Sequence, residues 1–192
     1  MGWFKSNPSF LGIYENALTS DECDLLIDKF NKSKLIPGTI YRGAETGVDS
    51  NVKSSIELDG PHFTDKSLIS NVIDIRLREC TTKYAAQYPA PSFIPTDSSQ
   101  VVIDDDYTFK KFEGRDGGYK QWHCEHGIGT SRRVLVWMFY LNNASGTDFL
   151  YYPTVRAKKG RCLIWPAGFT HTHKSSPNKG IKYIISGWIS IR

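Results

Sequence analysis

The chain has 192 residues, the length of one domain and enough to bury a core without disulfide help. Hydrophobic residues make up 40 % and charged residues 23 %, ordinary globular usage that excludes a fibrous or disordered chain, and the 13 % aromatic share favours sheet. No apolar run reaches the roughly 18 residues of a membrane span, residues 1–8 lack the basic start and apolar core of a secretory signal, and a formal charge of +4 argues weakly for nucleic acid.

Phe10 to Tyr14 is a short apolar run that leads into Thr19-Ser20-Asp21-Glu22, a helix start with Ser20 or Thr19 able to cap and two acids in the first turn. Cys23, Leu26, Ile27 and Phe30 follow at helical spacing, which predicts a helix over about residues 20–33. Pro37-Gly38 breaks the chain, and Val52 to Leu58 reads as a short strand. A second helix is expected from Thr64 or Asp65, because Ile69, Ile73, Leu77, Cys80 and Tyr84 keep one face; it should stop before the Pro89 to Pro95 segment.

The texture then turns to β. Gln100 to Ile103, Tyr107 to Phe112, Tyr119 to Glu125, Val134 to Leu141, Phe149 to Tyr152, Arg161 to Trp165 and Tyr183 to Ile191 are rich in Val, Ile, Tyr, Phe and Trp, with turn residues between them. Two helices followed by this many strands imply an α+β, mainly β fold: a double-sheet barrel with the helices packed on one outer face. Four cysteines, at 23, 80, 124 and 162, include no CxxC pair, so reduced thiols and a cytoplasmic location are expected rather than a zinc or disulfide framework. Cys124 and Cys162 read as small buried hydrophobes, His126 as a surface residue, and Trp122, Trp137, Trp165 and Trp188 as core or cleft walls.

Four of the five histidines lie in the β half, as His123-Cys124-Glu125-His126 and His171-Thr172-His173. In an extended chain, side chains two apart share a face, so His123 and Glu125 can chelate one ion while Cys124 points away. Two His and a carboxylate on one face of a metal leave adjacent positions open, the arrangement of non-haem Fe(II) oxygenases, and two open positions suffice for a 2-oxo acid. The far carboxylate of such a co-substrate needs a buried cation, and Lys182 lies within the apolar run Ile181 to Ile185. The competing and less favoured reading of Lys182 is an edge-strand lysine pointing to solvent.

The ordered set resembles the iron(II)/2-oxoglutarate-dependent dioxygenases of the prolyl-4-hydroxylase-like branch. Glu15 to Cys23 is similar to their strand-then-helix opening, and Gly117-Gly118-Tyr119-Lys120-Gln121-Trp122-His123-Cys124-Glu125 to their G-x-Y-x-x-H-x-D stretch. Tyr140-Leu141-Asn142, Gly146-Thr147-Asp148-Phe149, Lys159 to Pro166, and His173 through Lys182 to Trp188 resemble the later segments. The resemblance implies one domain over residues 1–192, with helices and flanking strands over about residues 1–98 and a double-stranded β-helix (jelly-roll) core over about residues 99–192. It implies Fe(II), 2-oxoglutarate and O2, with ascorbate as a further cofactor, in the hydroxylation of an unactivated C–H bond with release of succinate and CO2. The substrate would be a peptide or protein, prolyl or otherwise, or a small molecule; neither a membrane nor nucleic acid is expected as partner.

By the same resemblance His123 and Glu125 are the first two metal ligands, Lys182 pairs with the distal carboxylate of 2-oxoglutarate, and Tyr140 and Ser186 add hydroxyls to its binding. The distal histidine is His173, whose spacings to Pro177 and Lys182 are similar to the family's, with His171 as second choice. Two departures stand out. Glu125 replaces the usual Asp, and Phe112 stands where a co-substrate-contacting Tyr is common. Three other readings are a same-fold oxygenase acting on a nucleobase, a cupin-like metal enzyme with no use for Lys182, and a non-catalytic β-sandwich binding module.

Overall fold

A computed structural model describes residues 8–42, 45–59, 69–89, 101–104 and 107–191. In chain order, strand β1 (Gly12–Tyr14) leads to helix α1 (Ser20–Asn31), then β2 (Ile36–Pro37), β3 (Ile40–Arg42), β4 (Glu45–Gly47), β5 (Lys53–Ser54) and β6 (Ile56–Asp59). Thr19 is the cap of α1. Its hydroxyl accepts the Glu22 backbone N–H at 3.2 Å while the Glu22 carboxylate accepts the Thr19 N–H at 2.7 Å, a reciprocal box that satisfies two free donors of the first turn. The second helix is described from residue 69; its expected start at Thr64 or Asp65, like most of the Pro89 to Pro95 segment and His62, lies outside the described residues. It opens as one wide π-type segment, Ile69–Asp74, and continues as α2 (Ile75–Gln87). Arg76 of α2 binds Glu22 of α1 at 2.9 Å and so joins the helices.

The remaining strands are β7 (Val101–Ile103), β8 (Thr108–Glu113), β9 (Gly118–Tyr119), β10 (Arg133–Tyr140), β11 (Ala144–Phe149), β12 (Val155–Ala157), β13 (Cys162–Pro166), β14 (His173–Ser175) and β15 (Ile181–Ile191). They form a large antiparallel sheet in the order β1-β13-β10-β15-β8-β6-β2, with β7 also on β15, and a smaller sheet β12-β11-β14 that faces it. This is the jelly roll, with both helices on the outer face of the large sheet. Phe149 to Tyr152 is not a strand of its own: the chain pairs earlier, over Ala144–Phe149, where tertiary pairing overrides poor β-formers such as Gly146 and Asp148. Tyr119 to Glu125 is likewise irregular after Tyr119, apart from one bridge at His123.

Two cores follow from the period-2 alternation of the central strands. On β10, Leu135, Trp137 and Phe139 join Leu26, Phe30, Leu77 and Cys80 of the helices, with Cys162 and Ile164 of β13 and Ile185 and Ile189 of β15. Val136, Met138 and Tyr140 face the other way, against Phe149, Val155, Leu163, Trp165 and Ile184 between the sheets. Gly187 is required where it stands, because a Cβ there would lie 2.6 Å from the Trp137 ring and 2.8 Å from the Tyr107 Cβ. All four cysteines are free thiols; Cys23, Cys80 and Cys162 are buried and Cys124 is not. No helix among the described residues is long and apolar enough to cross a membrane.

Gly187→Ala should destabilise the fold by about 1 to 3 kcal/mol through overpacking against Trp137, read as a lowered midpoint in denaturant at unchanged slope. Gly47→Ala, where an added Cβ meets nothing within 4 Å, should stay within about 0.5 kcal/mol of wild type.

Candidate metal centre

The cleft lies between the two sheets, with a volume of about 410 Å³, and the irregular segment that carries His123 and Glu125 is part of its lining. That segment is held by backbone bonds. His123 N–H donates to the His173 carbonyl at 3.0 Å, His173 N–H returns a bond to His123 at 2.8 Å, and Glu125 N–H donates to Ala167 at 3.0 Å. This one bridge brings together residues fifty apart in sequence. Of the described residues, His123, Glu125 and His173 form the one group of potential metal donors, with their ligand atoms all within 4.8 Å of one another.

Each imidazole is oriented by the same device. His123 Nδ1 donates to the Gln121 carbonyl at 3.0 Å, and His173 Nδ1 to the His171 carbonyl at 2.9 Å. With the proton on Nδ1, the Nε2 lone pairs turn inward, and each Nε2 lies 3.7 Å from Glu125 Oε1. The rings are fixed by packing: Tyr119 stacks on His123 at 3.7 Å between centroids, and Trp165 meets His173 edge-on at 5.1 Å. Burial lowers the pKa of His123 and drives that of His173 down to about 4, so both imidazoles are neutral donors at pH 7. Burial opposes the charge on Glu125, but His123, His173, Lys110 and Arg133 outweigh it and hold the carboxyl below the usual range.

Glu125 divides its two oxygens. Oε1 faces the histidines, while Oε2 accepts Trp188 Nε1–H at 2.9 Å and faces Arg133 Nη1 at 3.4 Å. The Arg133 guanidinium lies 3.4 Å above the Trp188 ring. The longer carboxylate therefore has its surplus reach taken up by an indole and a cation, and one oxygen stays turned to the histidines. Two neutral imidazole nitrogens and one carboxylate oxygen suit a divalent transition metal with positions left open.

His171, two residues from His173, is turned away: Nε2 donates to the Ser9 carbonyl at 2.8 Å, Nδ1 accepts from Thr170 at 3.0 Å, and Tyr152 stacks on the ring. Lys182 is not on an edge. It lies between β10 and β8 at 2 % exposure, donates to the Gly146 carbonyl at 3.1 Å, and has its pKa lowered by burial to about 8. Tyr140 is fully buried and is not itself part of the cleft lining; its hydroxyl lies 2.6 Å from Oγ1 of Thr147, which does line it, and burial pushes its pKa up. Ser186 sits further along the same face of β15, where its hydroxyl accepts Lys110 Nζ–H at 2.6 Å. Phe112 lies under the Lys182 ammonium at 5.1 Å.

Several side chains depart from the sequence-based expectations. Cys124 lines the cleft mouth instead of the core, because the chain around it is not a regular strand. Trp122 is 43 % exposed, with the Lys174 ammonium over its ring. His126 is at the surface as expected, its ring against the Arg133 carbonyl. Trp188 is more than a wall, since it binds Glu125. Lys110, Arg133 and Thr147 also line the cleft and were not anticipated. Lys110 was legible in principle, as it alternates with Thr108 and Phe112 on one face. Arg133 was not. A bulge in the β10–β15 pairing between Arg133 and Leu135 turns it off the helix-side face and into the cleft.

Residues 107–190 match the model of the 2OG-Fe(II) oxygenase superfamily. Among solved structures, the chain is similar to a viral collagen prolyl hydroxylase from Paramecium Bursaria Chlorella virus-1, with TM-score 0.68, 18 % identity, and 95 % of this chain and 97 % of that one covered. A Trichoplax adhaerens prolyl hydroxylase, solved with a hypoxia inducible factor peptide fragment, aligns at TM-score 0.70 and 14 % identity over 96 % of this chain and 85 % of that one. A Pseudomonas putida prolyl-4-hydroxylase aligns at 0.63 and 14 %, covering 95 % and 92 %. At these identities the solved structures speak for the fold. No curated protein sequence matches the chain.

His123→Ala, Glu125→Ala and His173→Ala should each lose stoichiometric Fe(II) or Mn(II) binding and keep a cooperative melt, because their side chains belong to the cleft and not to either core. His171→Ala should keep the metal. Metal retained by His173→Ala and lost by His171→Ala in anaerobic equilibrium dialysis would reverse the assignment of the distal donor.

Proposed function

We propose that this chain, a 2-oxoglutarate-dependent dioxygenase by the family match over residues 107–190, hydroxylates an unactivated C–H bond of a second substrate, with a peptide, prolyl or otherwise, as the first class to test. The observation that carries the reading is the convergence of His123, Glu125 and His173 at one end of a cleft whose other end holds the buried Lys182. The three side chains would hold Fe(II). When bound, the iron supplies the redox chemistry by which O2 and 2-oxoglutarate become succinate and CO2 while a C–H bond becomes an alcohol. The peptide fragment bound by the Trichoplax neighbour supports a peptide substrate, and ascorbate is assigned only as a reductant to try.

The protein's own residues have separable tasks. Lys182 supplies the cation for the distal carboxylate of 2-oxoglutarate, and the Tyr140–Thr147 hydroxyl pair supplies hydrogen bonds. Phe112 contributes a dry wall where a hydroxyl would otherwise stand, so the lysine carries more of the recognition. Trp165, Met138 and Ile184 keep water from the middle of the cleft, which strengthens every charge interaction inside it. The Gln121 and His171 carbonyls keep both imidazoles in the tautomer a metal needs.

Anaerobic addition of Fe(II) and 2-oxoglutarate should produce a weak visible charge-transfer band, and aerobic turnover should release succinate. A protein that binds iron but shows no band at saturating 2-oxoglutarate is not using it as co-substrate.

Lys182→Ala should weaken 2-oxoglutarate by about a hundredfold or more, since removing one partner of a desolvated pair costs roughly 3 to 5 kcal/mol. In wild type, affinity should fall as pH rises above about 8, by up to about tenfold per pH unit, because the free lysine must first regain its proton. Lys182→Arg, which stays charged, should abolish that fall while binding less well at pH 7. A flat pH profile in wild type would place the carboxylate elsewhere.

A further inference from the structure

The cleft holds more positive charge than the proposed reaction uses. Lys53, Lys110, Arg133, Lys174 and Lys182 line it against two carboxylates, Glu57 and Glu125, with the Lys174 ammonium turned onto the Trp122 ring. Both carboxylates are already engaged. Glu57 Oε1 binds Lys53 at 2.7 Å and accepts the Ser55 hydroxyl at 2.6 Å, and Glu125 is divided between the histidines on one side and Trp188 and Arg133 on the other. Lys110 is different: its hydrogen bond goes to the neutral hydroxyl of Ser186.

Position separates Lys110 from Lys182. On the cleft face of the large sheet, Lys110 of β8 stands opposite Ile184 of β15 and Glu57 of β6, whereas Lys182 stands opposite Phe112 and turns its ammonium to Gly146 in the small sheet. The two lysines thus project from one face of the large sheet, two residue pairs apart, and turn their ammoniums to different partners, Ser186 and Gly146. A divalent metal and dianionic 2-oxoglutarate add no net charge, Glu57 and Glu125 are paired with Lys53 and Arg133, and of the two lysines left Lys182 faces the distal carboxylate. The positive charge that remains is centred on Lys110. Glu57 and Glu125 act on this ammonium only through space, while its hydrogen bond goes to a neutral hydroxyl; holding it partly out of water in that state is costly, a cost that an anionic ligand would relieve.

We infer that Lys110, backed by Arg133, is a second anion subsite, and that the second substrate presents an acidic group to it, a carboxylate or a phosphate. The inference rests on the oxygenase reading for the role of the ligand. A neutral prolyl ring alone leaves the subsite unfilled, so an acidic residue near the target carbon, or an acidic small molecule, fits better.

The test uses sulfate as probe, added at constant ionic strength to protein loaded with Mn(II) and 2-oxoglutarate and followed by calorimetry. Wild type should bind one sulfate, Lys110→Met should weaken it at least about tenfold, and Lys110→Arg should recover most of the loss. The affinity of Lys110→Met for 2-oxoglutarate should change by less than about threefold, against about a hundredfold for Lys182→Ala. Lys110→Gln, which keeps a hydrogen bond to Ser186, replaces the methionine variant if that one melts early. Competition against sulfate by N-acetylaspartate and by phosphoserine then separates the two sources of the anion, and displacement by neither overturns the subsite. It is also overturned if wild type and Lys110→Met bind sulfate alike, or if Lys110→Met loses 2-oxoglutarate as Lys182→Ala does. Failure of the oxygenase reading has its own signature, a wild-type protein that takes up metal but no 2-oxoglutarate.

Discussion

Strand β15 is buried on both faces and must present different chemistry to each. Ile185 and Ile189 meet the helices, while Lys182, Ser186 and Trp188 line the cleft. A slip of one residue would put an ammonium into the helix-side core and isoleucines into the cleft, at a cost no local adjustment could recover. The register is therefore pinned from both sides: Ser186 stands opposite Met138 of β10 and Thr108 of β8, and the Trp137 ring occupies the space that only a glycine at 187 leaves open. The placement of Lys110, Lys182, Ser186 and Trp188 in the cleft follows from that register.

The donors themselves lie off the regular sheet. His123 and Glu125 sit on an irregular segment tied down by two short contacts, one to β14 through His173 and one to Ala167. A regular strand would keep His123 and Glu125 on one face but at the fixed spacing of its pleat, with less freedom to converge on His173. Both histidines then use a carbonyl two residues earlier to fix the ring, so the geometry is held by backbone rather than by further charged groups. Charge is concentrated instead around Glu125, where Arg133 and Trp188 occupy its second oxygen. Accommodating glutamate in place of aspartate thus involves a partner set as well as a longer side chain, and the β10 bulge that re-aims Arg133 is part of it.

Lysine burial is the other feature that the fold has to support. Lys182 and Lys110 both have pKa values lowered to about 8 by burial, which makes them reluctant cations at neutral pH and responsive to any carboxylate that arrives. Rigid strands hold them. A flexible loop would let each ammonium swing into water and relieve the cost, whereas a central strand keeps the charge where a ligand meets it.

Sequence alone determined the helix over Ser20–Asn31, the apolar central strands, the order of histidines, carboxylate and lysine, and through these the jelly-roll class, because periodicity and residue chemistry are local and survive without neighbours. It missed β11, β12 and β14, whose Ala, Ser, Gly, Thr, Asp and Lys residues pair only because the large sheet offers them a face to cover. The choice between His171 and His173 as the inward ring, the exposure of Trp122, the cleft position of Cys124, and the roles of Lys110, Arg133 and Trp188 were decided by the tertiary structure. Each depends on which way a side chain points relative to a partner fifty or more residues away, or on a bulge that shifts one strand by a single residue, and neither leaves a periodic trace in the chain.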